Sequence, residues 1–216
     1  MPMLGAKLPE LAVITTQGNM ILPDDYKGKW FVLFSHPADF TPVCTTEFYS
    51  FAKAHDEFRE VNTELIGLSI DGPTAHLKWT EWTEENINQK VEFPIIADSL
   101  GRTAEKLGMI HEAKGTDTVR AVFIVDDKGI LRTMMYYPQE AGRSVQEILR
   151  TVKALQYGDE HHVAMPENWP NNPILGSDVL IPPAKTEEAI KEHEEKLKDN
   201  DEVDYLDWWF ASKKSE

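Results

Sequence analysis

A single cysteine, Cys44, stands among 216 residues. An intrachain disulfide framework is therefore excluded, and one lone thiol suits a reducing cytoplasm. No run of about 18 apolar residues occurs, so no membrane-spanning helix is expected. The opening residues, Met1-Pro2-Met3-Leu4-Gly5-Ala6-Lys7, carry no long apolar stretch, so no secretory signal is expected either. Basic residues are scarce: 22 Lys and Arg face 37 Asp and Glu, for a net charge of −15. That balance disfavours nucleic acid and anionic membranes as partners. Much of it is concentrated between residues 186 and 204. The chain has no internal repeat or low-complexity tract. Its histidines show no metal-ligand spacing, and His161-His162 adjoin on a polar stretch. No metal and no other cofactor are expected.

What the sequence does have is organised around its cysteine. Trp30-Phe31-Val32-Leu33-Phe34 is a short apolar run of the kind that forms a buried strand. Phe48, Phe51, Ala52, His55 and Phe58 repeat at helical spacing and predict an amphipathic helix reaching about Glu60. Cys44 lies at the junction. Thr41 suits the N-cap and Pro42 the first helical position, which puts Cys44 third, in the first turn. There the helix dipole and free backbone N–H groups favour a thiolate, the nucleophilic form of the side chain. The alternative is a buried structural cysteine. Two prolines, a histidine and three threonines around one thiol do not make an ordinary apolar packing site.

The remaining pattern alternates strands with helices. Leu11–Thr15 and Met20–Leu22 predict a hairpin, Leu65–Ile70 a second buried strand, and Phe93–Ala97 a short one. Helices are expected after Asp71-Gly72-Pro73-Thr74, from Thr103 to Leu107, and from Val145 to Leu155. Ala121–Val125 and Ile130–Tyr137 predict a second hairpin. The fold class is α/β with a mixed central sheet flanked by helices. Cys44 then lies at the carboxyl end of a central strand, where such sheets place their sites. From about residue 157 the texture changes. Prolines at 166, 170, 173, 182 and 183 imply an extended arm, followed by a charged helix over about 186–198. Trp208-Trp209-Phe210 then imply either an interface or packing on the chain's own core. The expected division is 1–157 and 158–216.

Pro37-x-x-x-Thr41-x-x-Cys44, continued through Glu47, resembles the active-site signature of the peroxiredoxins, and in particular their one-cysteine (Prx6-like) subfamily of archaeal type. The resemblance extends through Arg120, Tyr136-Tyr137-Pro138, Trp169-Pro170-Asn171-Asn172 and Asp207-Trp208-Trp209-Phe210. It implies a thioredoxin-like core with a C-terminal arm that reaches across a dimer. It also implies reduction of hydrogen peroxide and organic hydroperoxides through a sulfenic acid at Cys44, with an external thiol as reductant. The implied assembly is a ring of dimers, a decamer. The catalytic set is Cys44, Thr41, Arg120 and Pro37. Thr41 serves as N-cap, as hydroxyl for thiolate or peroxide, or as both. Arg120, by sequence alone an ordinary surface arginine, becomes the cation beside the thiolate. Pro37 becomes pocket wall. Supporting roles fall to Glu47, which is placed to orient Arg120 through a bidentate pair or else stands as a solvated carboxylate. Arg143 becomes a second arginine at the pocket edge. His36 contacts the oxidised sulfur or is an ordinary loop histidine.

Two departures from the family bear on function. The positions near Asp207-Trp208-Trp209-Phe210 where some archaeal relatives carry cysteines hold Tyr205 and Ala211. The Gly-x-Ser-x-Gly element tied to lipase activity in animal relatives is also missing, since Gly67-Leu68-Ser69-Ile70-Asp71 lacks its last glycine. Two other readings are a redox-gated oligomeric chaperone with Cys44 as sensor, and a one-cysteine thiol-transfer enzyme.

Overall fold

A computed structural model of the chain describes residues 1–215, apart from the Lys114 side chain. Two compact units are present, Met1–Leu149 and a second that begins at Arg150.

The first unit is built on a sheet of seven strands. In chain order these are β1 (Leu11–Thr15), β2 (Gly18–Leu22), β3 (Trp30–Ser35), β4 (Thr63–Ser69), β5 (Ile95–Ala97), β6 (Arg120–Val125) and β7 (Leu131–Tyr137). Their spatial order is β2-β1-β5-β4-β3-β6-β7. β3, β4 and β5 are parallel, whereas β1 and β6 add on antiparallel. The sheet is therefore mixed, with both hairpins at its edges as the sequence implies. The helices are α1 (Pro42–Lys53), α2 (His55–Glu60), α3 (Pro73–Ile87), α4 (Arg102–Leu107) and α5 (Val145–His161), the last running on into the second unit.

β3 is buried at every residue, which explains its unbroken apolar run. Phe31 and Leu33 join one core with Ile66, Leu68, Phe123 and Leu107. On the other face Phe34 stacks on Phe51 of α1 at 3.9 Å and meets Phe48 edge-on at 5.4 Å. α1 can approach this closely because Gly67 of β4 has no side chain. A Cβ there would sit 3.2 Å from the Phe48 ring. The predicted single helix to Glu60 is two helices, because Ala54 (φ −90°, ψ 2°) leaves helical geometry.

The second unit contains α6 (Glu187–Lys198), capped by the Thr186 hydroxyl accepting from the Ala189 N–H. It also holds a small antiparallel sheet that sequence reasoning missed. Its strands are β8 (Val179–Leu180), β9 (Val203–Asp207) and β10 (Phe210–Lys213), in the order β8-β10-β9. Trp208 and Trp209 are the turn between β9 and β10, with Trp209 exposed. Among the described residues no helix is long and apolar enough to cross a membrane.

Candidate active site

The register of the sheet assembles the site. β6 runs antiparallel to β3 with Phe34 opposite Val122, which carries Arg120 past the end of β3 to the level of the loop 36–41. That loop leads into α1, where Cys44 is the third residue and fully buried. Arg120 Nη1 lies 3.3 Å from Cys44 Sγ and donates to Glu47 Oε2 at 2.6 Å. Its Nε donates to the Gln139 carbonyl at 2.8 Å. Glu47 is one helical turn beyond Cys44 on α1, so thiol and carboxylate face the same guanidinium.

The bidentate partner of Glu47 is Arg143, which corrects the expected fork with Arg120. Arg143 Nε and Nη2 donate to Glu47 Oε1 and Oε2 at 2.8 and 2.7 Å, and its backbone N–H donates to Oε1 at 2.8 Å. Arg143 Nη1 donates to the carbonyls of Ser35 and Ala121, both at 2.8 Å. Its guanidinium sits 5.5 Å from the Phe34 ring centroid and 5.8 Å from that of Phe51. Arg143 is thus a buried anchor and does not stand at a pocket edge. Burial alone would push the Glu47 carboxyl upward. The hydrogen bonds and charge of Arg143, with the Arg120 charge, outweigh that and hold it below the usual range. A carboxylate locked as an anion fixes Arg120 against the sulfur.

Thr41 occupies the N-cap position but makes no side-chain cap. Its hydroxyl instead donates back to the Ala38 carbonyl at 2.8 Å, which leaves its oxygen lone pairs as acceptors. Pro37 is buried in the same loop. His36 is fully buried as well, and it belongs to a group that spacing in the sequence did not reveal. Asp39 accepts from His36 Nε2 at 2.8 Å and from His76 Nδ1, on α3, at 2.7 Å. A carboxylate only accepts, so His36 carries its proton on Nε2 and keeps Nδ1 as a bare lone pair. That Nδ1 is buried without a partner. Burial pushes the His36 imidazole below its ordinary range, against the opposing pull of Asp39. Burial pushes Asp39 upward, and its two histidine hydrogen bonds bring it below.

One ligand atom from each of His36, Asp39 and His76 lies within 4.8 Å of the others. The spacings of 2.7 and 2.8 Å are those of hydrogen bonds, closer than two ligands sit around a tetrahedral ion. The donor set fits shared protons, not a metal.

The model of the AhpC/TSA family matches residues 4–134, and that of the C-terminal domain of 1-Cys peroxiredoxin matches residues 154–196. The chain is a one-cysteine peroxiredoxin. As such it is a thiol-dependent peroxidase, an oxidoreductase. The peroxiredoxin of Methanocaldococcus jannaschii is 61% identical over 216 residues, 99% of each chain. That of Archaeoglobus fulgidus is 59% identical over 213 residues, again 99% of each. Among solved structures, a yeast mitochondrial 1-Cys peroxiredoxin superposes with a TM-score of 0.84 at 36% identity, over 100% of both chains. The peroxiredoxin 6 of Arenicola marina, as a cysteine-to-serine mutant, gives 0.84 at 29%, over 100% of this chain and 99% of that one. These neighbours establish the thioredoxin-like fold of the peroxiredoxin core and its C-terminal extension. None of the comparisons supports the chaperone reading.

Proposed function

We propose that this peroxiredoxin reduces hydrogen peroxide and organic hydroperoxides in antioxidant defence, through a sulfenic acid at Cys44 that an external thiol removes. The observation carrying this is the 3.3 Å approach of Arg120 Nη1 to a fully buried Cys44 Sγ. A guanidinium stays charged at every accessible pH, so the sulfur has a permanent counter-charge. The thiolate attacks the terminal peroxide oxygen. The S–O bond forms as the O–O bond breaks, and hydroxide or alkoxide leaves and takes a proton. Arg120 Nη2 has no protein partner among the described residues, so its N–H groups are free to meet the charge growing on the leaving oxygen. Thr41 accepts the peroxide proton through its oxygen, and Pro37 walls the pocket. Glu47 and Arg143 hold Arg120 in place. The bare Nδ1 of His36 is available to contact the oxidised sulfur.

No second thiol exists in the chain to condense with the sulfenic acid. An external thiol therefore attacks the sulfur, releasing water and leaving a mixed disulfide, which a second thiol reduces. The yeast neighbour is described as resolved through glutathione and thioredoxin systems, which supports a small thiol or a thioredoxin-like protein here. Residues 158–216 serve as a dimerisation arm, and the dimers form a ring, a decamer. The protein acts in the cytoplasm.

Reduced protein given one equivalent of hydrogen peroxide should gain one oxygen by intact mass and label with a sulfenic-acid probe. Dithiothreitol should reverse the gain, and a non-reducing gel should show monomer bands. A large excess should leave two or three oxygens that dithiothreitol does not remove. Cys44→Ser should abolish turnover. A reducible covalent dimer as the main product would overturn the one-cysteine cycle.

A further inference from the structure

The loop between β3 and α1 contains a residue whose conformation the catalytic groups do not explain. Phe40 has φ of 55°, in the left-handed region that bulky side chains avoid. Its neighbours force it there. On one side Asp39 is buried, its carboxylate held by His36 and His76 and its backbone N–H donating to Asp71 Oδ2 at 2.9 Å. On the other, Thr41 is tied to Ala38 through its hydroxyl and to α1 through its carbonyl, which accepts from the Thr45 N–H at 3.0 Å. Between two fixed residues the chain reverses at Phe40, and the side chain is 58% exposed.

Packing does not account for a phenyl ring here. Asn or Gly would take this backbone more easily and would leave no apolar surface in water. Strain held in place by an over-determined surrounding is a mark of function. The ring stands four residues before the thiol, in a loop with exposed Pro42 and half-buried Val43. The chemistry says what such a rim would meet. In-line attack puts sulfur, attacked oxygen and leaving oxygen close to one line. Any organic group on the peroxide is bonded to the leaving oxygen, so it faces away from the thiol floor and towards the pocket mouth.

We propose that Phe40 is a specificity-determining residue, its ring the apolar landing face for the alkyl or aryl group of an organic hydroperoxide. The buried Asp39 clamp holds that ring outward. Hydrogen peroxide, which has no such group, does not use it. The inference rests on the peroxidase reading above.

Oxidation of Cys44 by hydrogen peroxide and by cumene hydroperoxide, followed by rapid quench and intact mass, separates the outcomes. Phe40→Asn keeps a residue that tolerates the left-handed backbone. Its rate constant with hydrogen peroxide should stay within about twofold of wild type, while that with cumene hydroperoxide falls roughly tenfold, the scale of one lost apolar contact. Phe40→Leu should recover most of the loss. If both rates fall together, Phe40 only shapes the loop, and the proposal is wrong. Equal rates in wild type and Phe40→Asn also overturn it. So does a drop in oligomer mass by light scattering with the rate ratio unchanged, which would assign the ring to a second copy of the chain. If wild type fails to react with hydrogen peroxide, the peroxidase reading itself falls.

Discussion

Arg120 divides its donors between a sulfur and a carboxylate, and Glu47 in turn divides its oxygens between two arginines. Removing the first cation should cost catalysis. Arg120→Ala should slow peroxide attack on the order of 10²-fold, the usual cost of one preorganised donor. It should also slow iodoacetamide alkylation of Cys44 at pH 7, and an unchanged alkylation rate would refute the role. Removing the anion should cost stability, because Arg143 would be left buried and unpaired. Glu47→Gln should lose about 3–5 kcal/mol in urea denaturation. The same groups set a pH dependence. Glu47 and Asp39 are held below their ordinary range and His36 below its own, so the folded state binds fewer protons than the unfolded one as pH falls. Stability then rises with pH across each window. Acidification should weaken the fold first below about pH 6.5, where unfolded His36 gains a proton, and again below about pH 4, where the unfolded carboxyls do. Urea midpoints at pH 7, 5 and 3.5 check this, and Glu47→Gln should lose part of the second step.

At the level of elements, the site depends on how closely α1 lies on β4. Gly67→Ala would bring a methyl within 3.2 Å of the Phe48 ring, on the helix that carries Cys44. Overpacking of this kind costs about 1–3 kcal/mol, measurable as a lower urea midpoint. The core elements were legible because each has a strong local signal. β3 is an apolar run buried on both faces, and Pro42 marks the first residue of α1. The second unit was less so. β8 has two residues, β9 alternates without a clean apolar face, and the turn at Trp208-Trp209 has no glycine or asparagine to announce a hairpin. In the site, spacing put Cys44 and Glu47 on one face of a helix. It could not choose between two arginines separated from Glu47 by 73 and 96 residues. Asp39 and His76 were missed for the same reason: the contact joins residues 37 apart and has no local pattern.

For the whole molecule, a net charge of −15 and an edge strand, β7, bear on assembly. Light scattering of the intact protein should give a mass of at least two chains. Truncation after Gly158 should lower that mass and expose apolar surface to a reporter dye; a monomer mass for the intact chain would end the ring proposal. The separation in sequence between Cys44 and its arginines has a further consequence in time. The ribosome delivers the thiol 76 residues before Arg120, and Glu47 96 residues before Arg143. Until all of these have emerged and the sheet has closed, the cysteine has no cation beside it. A growing or misfolded chain therefore meets peroxide as an ordinary, slow thiol. Reactivity arrives with the last step of folding, which spares the nascent chain from the oxidant that the finished enzyme consumes.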